Sequence, residues 1–205
     1  QKQNILIVNV PQENVAPLVA ELKKVGLDVA APLWRQNLVS CTGTQFCNLA
    51  VVETKQRAYE LLKYLEDTVE LDSPIMVSVT GCPNSCAQFQ IADIGLTGTK
   101  STWEGQKVDA YDVCVGGALG EKQEFVQEVV PKVPTPVVHK VVAALVRNYK
   151  LHRTTFNDGE PETFRDFVAR NDLETLRTFA KIDEWAPAPP RAPRPTPAAK
   201  PVASL

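Results

Sequence analysis

The chain has 205 residues, 44% hydrophobic and 22% charged, with a formal net charge of −2. That length allows one full domain and part of another, in the ordinary composition of a soluble globular chain. The balanced charge offers no basic face for nucleic acid, and no apolar run approaches the roughly 20 residues that cross a bilayer.

Residues 4–10 are an apolar, β-branched run that predicts a buried strand. Over residues 11–25, Val15, Leu18, Val19, Leu22 and Val25 recur at helical spacing, and Gly26 is a natural stop. Residues 27–34 alternate as a second strand. This β-α-β unit, residues 1–37, is too small to be a domain alone and reads as half of a unit whose other half lies upstream. No signal peptide precedes it. The absence of an initiating Met makes a fragment lacking its N-terminal portion the expectation.

Residues 38–40 predict a short strand leading into Cys41-Thr-Gly-Thr-Gln-Phe-Cys47. Residues 47–67 then follow a helical pattern, with Val51, Ala58, Leu61, Leu62 and Leu65 on one face. Ser73-Pro74 breaks the chain before a strand at 75–80. Gly81-Cys82-Pro-Asn-Ser-Cys86 is a tight polar loop. Residues 91–96 and 110–115 predict further strands, with Gly95, Gly98 and Gly105 as turns. Residues 134–150, 162–169 and 173–180 predict helices, so the fold class is α+β. The main domain spans 38–182. The tail at 183–205 is expected to be disordered, because 13 of residues 186–205 are Pro or Ala and too little apolar surface remains to offset ordering.

Five cysteines are an odd set in a chain without secretory signs, which disfavours a disulfide scaffold. Four of them form two pairs, Cys41-x5-Cys47 and Cys82-x3-Cys86, 34 residues apart. Each pair stands where a strand gives way to a loop. Cys47 is also expected at a helix start, where free N–H groups favour a thiolate. Four thiolates satisfy an iron–sulfur cluster. Spacing alone leaves a four-cysteine zinc site open, although x5 is wide for zinc, and so it does four unrelated core cysteines. Cys114, inside an apolar run, is expected to be a packed core residue. His139 and His152 are expected at the surface.

The flanking residues resemble one family. Cys41-Thr-Gly-Thr-Gln-Phe-Cys47-Asn-Leu-Ala-Val-Val-Glu-Thr-Lys55 is similar to the first cluster motif of the nitrite and sulfite reductases, and Thr80-Gly-Cys82-Pro-Asn-Ser-Cys86-Ala-Gln-Phe to the second. Tyr111-Asp-Val-Cys-Val-Gly-Gly-Ala-Leu-Gly120 resembles the strand and glycine turn that follow. The wording is nearest the ferredoxin-dependent nitrite reductases of cyanobacteria and plastids; assimilatory sulfite reductase of the same fold is the alternative, and a non-catalytic four-cysteine iron–sulfur or zinc module the other.

The resemblance implies a siroheme and [4Fe-4S] domain preceded by a partial ferredoxin-like unit. Cys41, Cys47, Cys82 and Cys86 would be the cluster ligands, and Cys86 would also bind the siroheme iron. Thr42, Gln45 and Asn84 are candidates to reach siroheme carboxylates or cluster sulfurs, against the plain alternative that they close turns. Gly116, Gly117 and Gly120 would let backbone approach the macrocycle or simply form a strand-to-helix turn. The family's anion-holding Arg and Lys residues lie in an N-terminal half expected to be missing here, so no catalytic residue is assigned in this chain. The implied partners are reduced ferredoxin, nitrite and that missing half, for a monomer in the cytoplasm or plastid stroma.

Overall fold

The computed structural model describes residues 5–27, 29–120, 123–156 and 159–181. The expected tail lies outside them. Helix α1 (Gln12–Lys24) forms where the periodicity places it, with Pro17 tolerated inside it. The short α2 (Leu33–Asn37) follows and sets Trp34 into the core, its indole N–H donating to the Val69 carbonyl at 2.7 Å. Then come β1 (Leu38–Ser40), α3 (Lys55–Thr68), β2 (Val77–Thr80), a 3-10 turn (Phe89–Ile91), β3 (Ile94–Trp103), β4 (Gln106–Val115) and β5 (Gln127–Pro134). Three helices close the described chain: α4 (Thr135–His152), α5 (Phe164–Arg170) and α6 (Leu173–Phe179).

The strands build one five-stranded sheet in the order β1-β2-β3-β4-β5. The first three run parallel; β3, β4 and β5 are antiparallel neighbours. Pairing of Val77 with Ile94 and of Val79 with Leu96, then Leu96 with Val113 and Ile94 with Val115, stacks aliphatic side chains on one sheet face. Helices α3 and α4 cover that face with Leu61, Leu65, Val138, Val141, Val142 and Leu145, all buried. Burying such residues contributes roughly 1.5–3 kcal/mol each. The parallel β1–β2 pair requires a crossover, and α3 supplies it.

Four expectations change. Neither predicted strand of the first 37 residues forms among the described positions: residues 5–10 have no ladder, and residues 33–37 are helical. Strands need a pairing edge, and residues 5–10 find none; Ile5 and Leu6 are 79% and 85% exposed. Gly95 and Gly98 lie inside β3 rather than in turns. The helix expected from residue 47 begins only at Lys55, because Val51 and Val52 spend their N–H groups on the Gly81 carbonyl, at 2.8 and 3.4 Å. Strand β5 was not expected at all. Pro131 interrupts its short apolar run, and it is accommodated at a sheet edge with register shifts against β4. Among the described residues no helix is long and apolar enough to cross a membrane.

At the far end, α5 is held by a buried carboxylate. Glu162 is 4% exposed at its side chain and accepts from Arg170 Nε at 2.6 Å and Nη2 at 2.9 Å, and from the Thr154 N–H at 3.0 Å. The Arg170 bonds hold its carboxyl below the usual range of 4.5, against the upward pull of desolvation. A depressed carboxyl stabilises the fold above its unfolded value and loses that contribution as pH falls through the folded one. Arg170→Met should therefore lower stability at neutral pH by about 1–3 kcal/mol. Urea unfolding should find the deficit shrinking towards roughly pH 3; a deficit constant with pH would contradict this origin. Cys114 is buried, as expected, and desolvation, with Glu128 and Asp112 nearby, pushes its thiol up to about 12. Iodoacetamide at mildly alkaline pH should thus label exposed Cys86 and spare Cys114 until the chain is denatured.

Candidate functional site

Parallel pairing decides where the cysteines go. Ser40 ends β1 opposite Val79 of β2, and the Cys41 N–H extends that ladder to the Val79 carbonyl at 3.0 Å. One residue beyond β2 is Gly81, followed by Cys82. Both cysteine loops thus leave the sheet at the carboxyl ends of adjacent parallel strands, the usual place for ligand sites in parallel sheets.

The loops touch directly. The Gly81 N–H donates to Cys41 Sγ at 3.2 Å. Between them runs a strap, residues 50–54. Its Val51 N–H bonds to the Gly81 carbonyl at 2.8 Å, and its Val52 carbonyl accepts from the Thr44 N–H at 3.3 Å. The strap's Thr54 hydroxyl donates to the Cys41 carbonyl at 2.6 Å, and the Cys41 thiol lies 3.8 Å from Thr54 Oγ1. Gly98 of β3 lets this sandwich close: a Cβ there would lie 2.4 Å from Val52 Cγ2 and 2.6 Å from the Gly81 carbonyl oxygen. Farther along, the Tyr111 hydroxyl donates to the Glu53 carbonyl, tying the strap to β4.

Within the first loop, Cys47 donates its N–H to the Gly43 carbonyl at 3.0 Å and accepts from Ala50 at 3.2 Å. It sits in a turn, not at a helix start as the sequence suggested. In the second loop, Ser85 takes a left-handed φ of 57° and turns the chain between Cys82 and Cys86. Cys41 and Cys47 are half-buried, Cys82 is buried and Cys86 is exposed, and all are free thiols. Thr42, Gln45 and Asn84 project from the same loops into solvent. Gly116 and Gly117 donate their N–H groups to the Asp93 and Ala92 carbonyls, at 2.9 and 3.0 Å, so they pack the end of β4 against the segment after the second loop; Gly120 is exposed. His152 is exposed as expected, whereas His139 is half-buried with its ring edge-on to Tyr64.

Among the described residues no three His, Cys, Asp or Glu side chains converge closely enough to hold a metal ion. The structure brings the two cysteine loops together but does not close their sulfurs into a ligand set. The donor chemistry nonetheless suits iron: free thiols sit on two hydrogen-bonded loops, and one sulfur already faces a backbone N–H of the kind that solvates cluster sulfurs. Buried hydroxyl oxygens of Ser78 and Thr80 on β2, which leads to the second loop, and of Thr97 on the neighbouring β3 have no hydrogen-bond partner. Nothing in the local sequence pattern marks Thr54 or the strap for a role at the site, because the partners of Thr54 lie on loops the sequence could not place.

Residues 35–185 match the nitrite and sulphite reductase 4Fe-4S domain. Over 185 residues the chain is 37% identical to "Sulfite reductase [ferredoxin] 1" of Mycolicibacterium paratuberculosis, covering 85% of this chain and 32% of that protein. It is 45% identical over 115 residues to "Ferredoxin--nitrite reductase" of Leptolyngbya laminosa, covering 56% of this chain and 22% of that one. The solved structure of the Mycobacterium tuberculosis NirA protein superposes with a TM-score of 0.73 at 36% identity, over 83% of this chain and 32% of NirA. The chain spans about a third of the length of the curated relatives it matches. With three quarters of its residues inside the matched domain, this chain belongs to the nitrite and sulphite reductase 4Fe-4S domain family.

Proposed function

We propose that this chain is the cofactor-holding part of a ferredoxin-dependent reductase that converts nitrite to ammonia. Cys41, Cys47, Cys82 and Cys86 ligate a [4Fe-4S] cluster, and Cys86 also holds the iron of a siroheme. The observation that carries this reading is the pairing of β1 with β2, which sets two free-cysteine loops edge to edge. When bound, the two groups supply one-electron relay and an iron at which an oxyanion is reduced. The chain's own part is ligation, burial and hydrogen bonding. Cys82 is buried and Cys86 exposed, so the Cys86 thiol is the one left accessible to a group docked on the loops. Phe46 and Leu49 are 78% and 69% exposed beside Cys47; apolar side chains left open on a polar loop suit contact with a flat macrocycle. Thr42, Gln45 and Asn84, exposed on the same loops, are the candidates to donate to its carboxylates.

The first 37 residues are read as half of a ferredoxin-like unit, on the apolar β-branched run and the helical spacing that follows it. Ile5, Leu6 and Val8 are exposed and form no ladder, so this reading requires their strand to form only on pairing with a complementary half. That half also carries the cationic groups that hold the anion, which is why no catalytic acid is assigned to this chain. Acidic ferredoxin is the electron donor, in the cytoplasm or plastid stroma where it operates. Sulfite is the second reading, favoured by the longer alignment with the mycobacterial sulfite reductase; the higher identity to the Leptolyngbya protein over its 115 aligned residues favours nitrite.

Two measurements test this. The holoprotein should yield an extractable tetrapyrrole and acid-labile sulfide, and Cys82→Ser should abolish the cluster signal. A zinc-loaded, colourless protein would overturn the reading. With reduced ferredoxin as donor, the full-length enzyme that contains this chain should turn over nitrite with at least a tenfold higher kcat/KM than sulfite, a difference of about 1.4 kcal/mol in transition-state binding; the reverse preference would move the assignment to sulfite, and nitrite turnover by this chain alone would contradict the need for the other half.

A further inference from the structure

The strap residue Thr54 is fully buried, at 0% exposed, and makes contact with the first cysteine in two ways. Its hydroxyl donates to the Cys41 carbonyl at 2.6 Å, and its Oγ1 accepts a long contact from the Cys41 thiol at 3.8 Å. The backbone of the first loop is pressed against it. Gly43 has φ +75°, and a Cβ there would lie 2.6 Å from both Thr54 N and Thr54 Oγ1. On its other side the Thr54 methyl faces Gly81, where a Cβ would lie 3.2 Å from Thr54 Cγ2. Gly81 is the residue whose N–H donates to Cys41 Sγ. One buried side chain is therefore wedged between the carbonyl of a cysteine and the backbone group that solvates that cysteine's sulfur.

We infer that Thr54 is a positioning residue that fixes Cys41 so that its sulfur stays on the Gly81 N–H, and that it thereby sets the reduction potential of the cluster this cysteine ligates. The inference rests on the [4Fe-4S] reading above. Its physical basis is that an N–H bond to a ligand sulfur stabilises the more negative, reduced cluster and raises the potential. A hydroxyl that clamps the Cys41 carbonyl holds the sulfur end of the same residue in register with its donor. Without the clamp, the part-buried Cys41 carbonyl loses its partner and the loop moves to recover one, which lengthens the N–H···S contact.

Thr54→Val keeps the shape of the side chain and removes only the hydroxyl; Thr54→Ser keeps the hydroxyl. In the cluster-loaded protein, a redox titration followed by electron paramagnetic resonance should give one midpoint for wild type and Thr54→Ser. Thr54→Val should fall lower by about a tenfold change in the one-electron equilibrium, or 59 mV. A Thr54→Val midpoint equal to wild type, even with a lowered Tm, overturns the inference and leaves Thr54 as packing. Should Thr54→Val fail to load, Thr54→Ser against Thr54→Ala makes the same comparison, since both lose the methyl and only one keeps the hydroxyl; equal midpoints for that pair overturn it as well. Failure of the underlying reading is separately visible, because the wild-type protein would then show no cluster signal to titrate.

Discussion

A single carbonyl, that of Gly81, and the N–H of the same residue organise the site. The oxygen accepts from Val51 and Val52 of the strap, and the nitrogen donates to the sulfur of Cys41. Two loops separated by more than thirty residues are thereby stitched into one layer at the end of a parallel strand pair. The stitching requires backbones to approach closely, and Gly98 beneath the layer provides the room. Any side chain at that position would push Val52 away from Gly81 and separate the loops.

The sheet below the loops has two unlike faces. Val77, Val79, Ile94, Leu96, Val113 and Val115 pack under α3 and α4 and make the rigid body of the domain. The opposite face carries Ser78, Thr80, Thr97, Asp112 and Cys114 by strict alternation along the same strands. Three of these hydroxyls are buried without a hydrogen-bond partner, a cost of about 1–3 kcal/mol each by the usual desolvation argument. Local costs of this kind concentrate where a fold serves chemistry. The aliphatic face carries the stability, and the polar face underlies the segment that brings Cys82 and Cys86 into place.

Much of this was legible in the residues. The helical periods of α3 and α4, the short strand before Cys41 and the strand before Gly81 all declare themselves through local pattern. The motif wording around the cysteines identified the family before any contact was known. What stayed hidden had a common cause. Strand β5 exists because Val130 and Val133 find Val113 and Tyr111, and Pro131 masks that run locally. The strap is bent, not helical, because the N–H groups of Val51 and Val52 are claimed by Gly81 rather than by the preceding turn. Residues 5–10 have strand composition but no ladder, because composition cannot supply a partner edge.

The sequence by itself determined which atoms are available: four thiols in two short, turn-rich loops, each following a β-branched run, with a fifth thiol inside an apolar strand. Those are local properties of side chains and spacing, and they survive without knowledge of the fold. Tertiary structure alone decided that the two loops share one sheet end, that Thr54 rather than a loop threonine lies against Cys41, and that Gly81 faces its sulfur. Such facts depend on strand register and on pairs of residues far apart in the chain, and hydrogen bonds between distant backbones leave no periodic trace in the sequence that forms them.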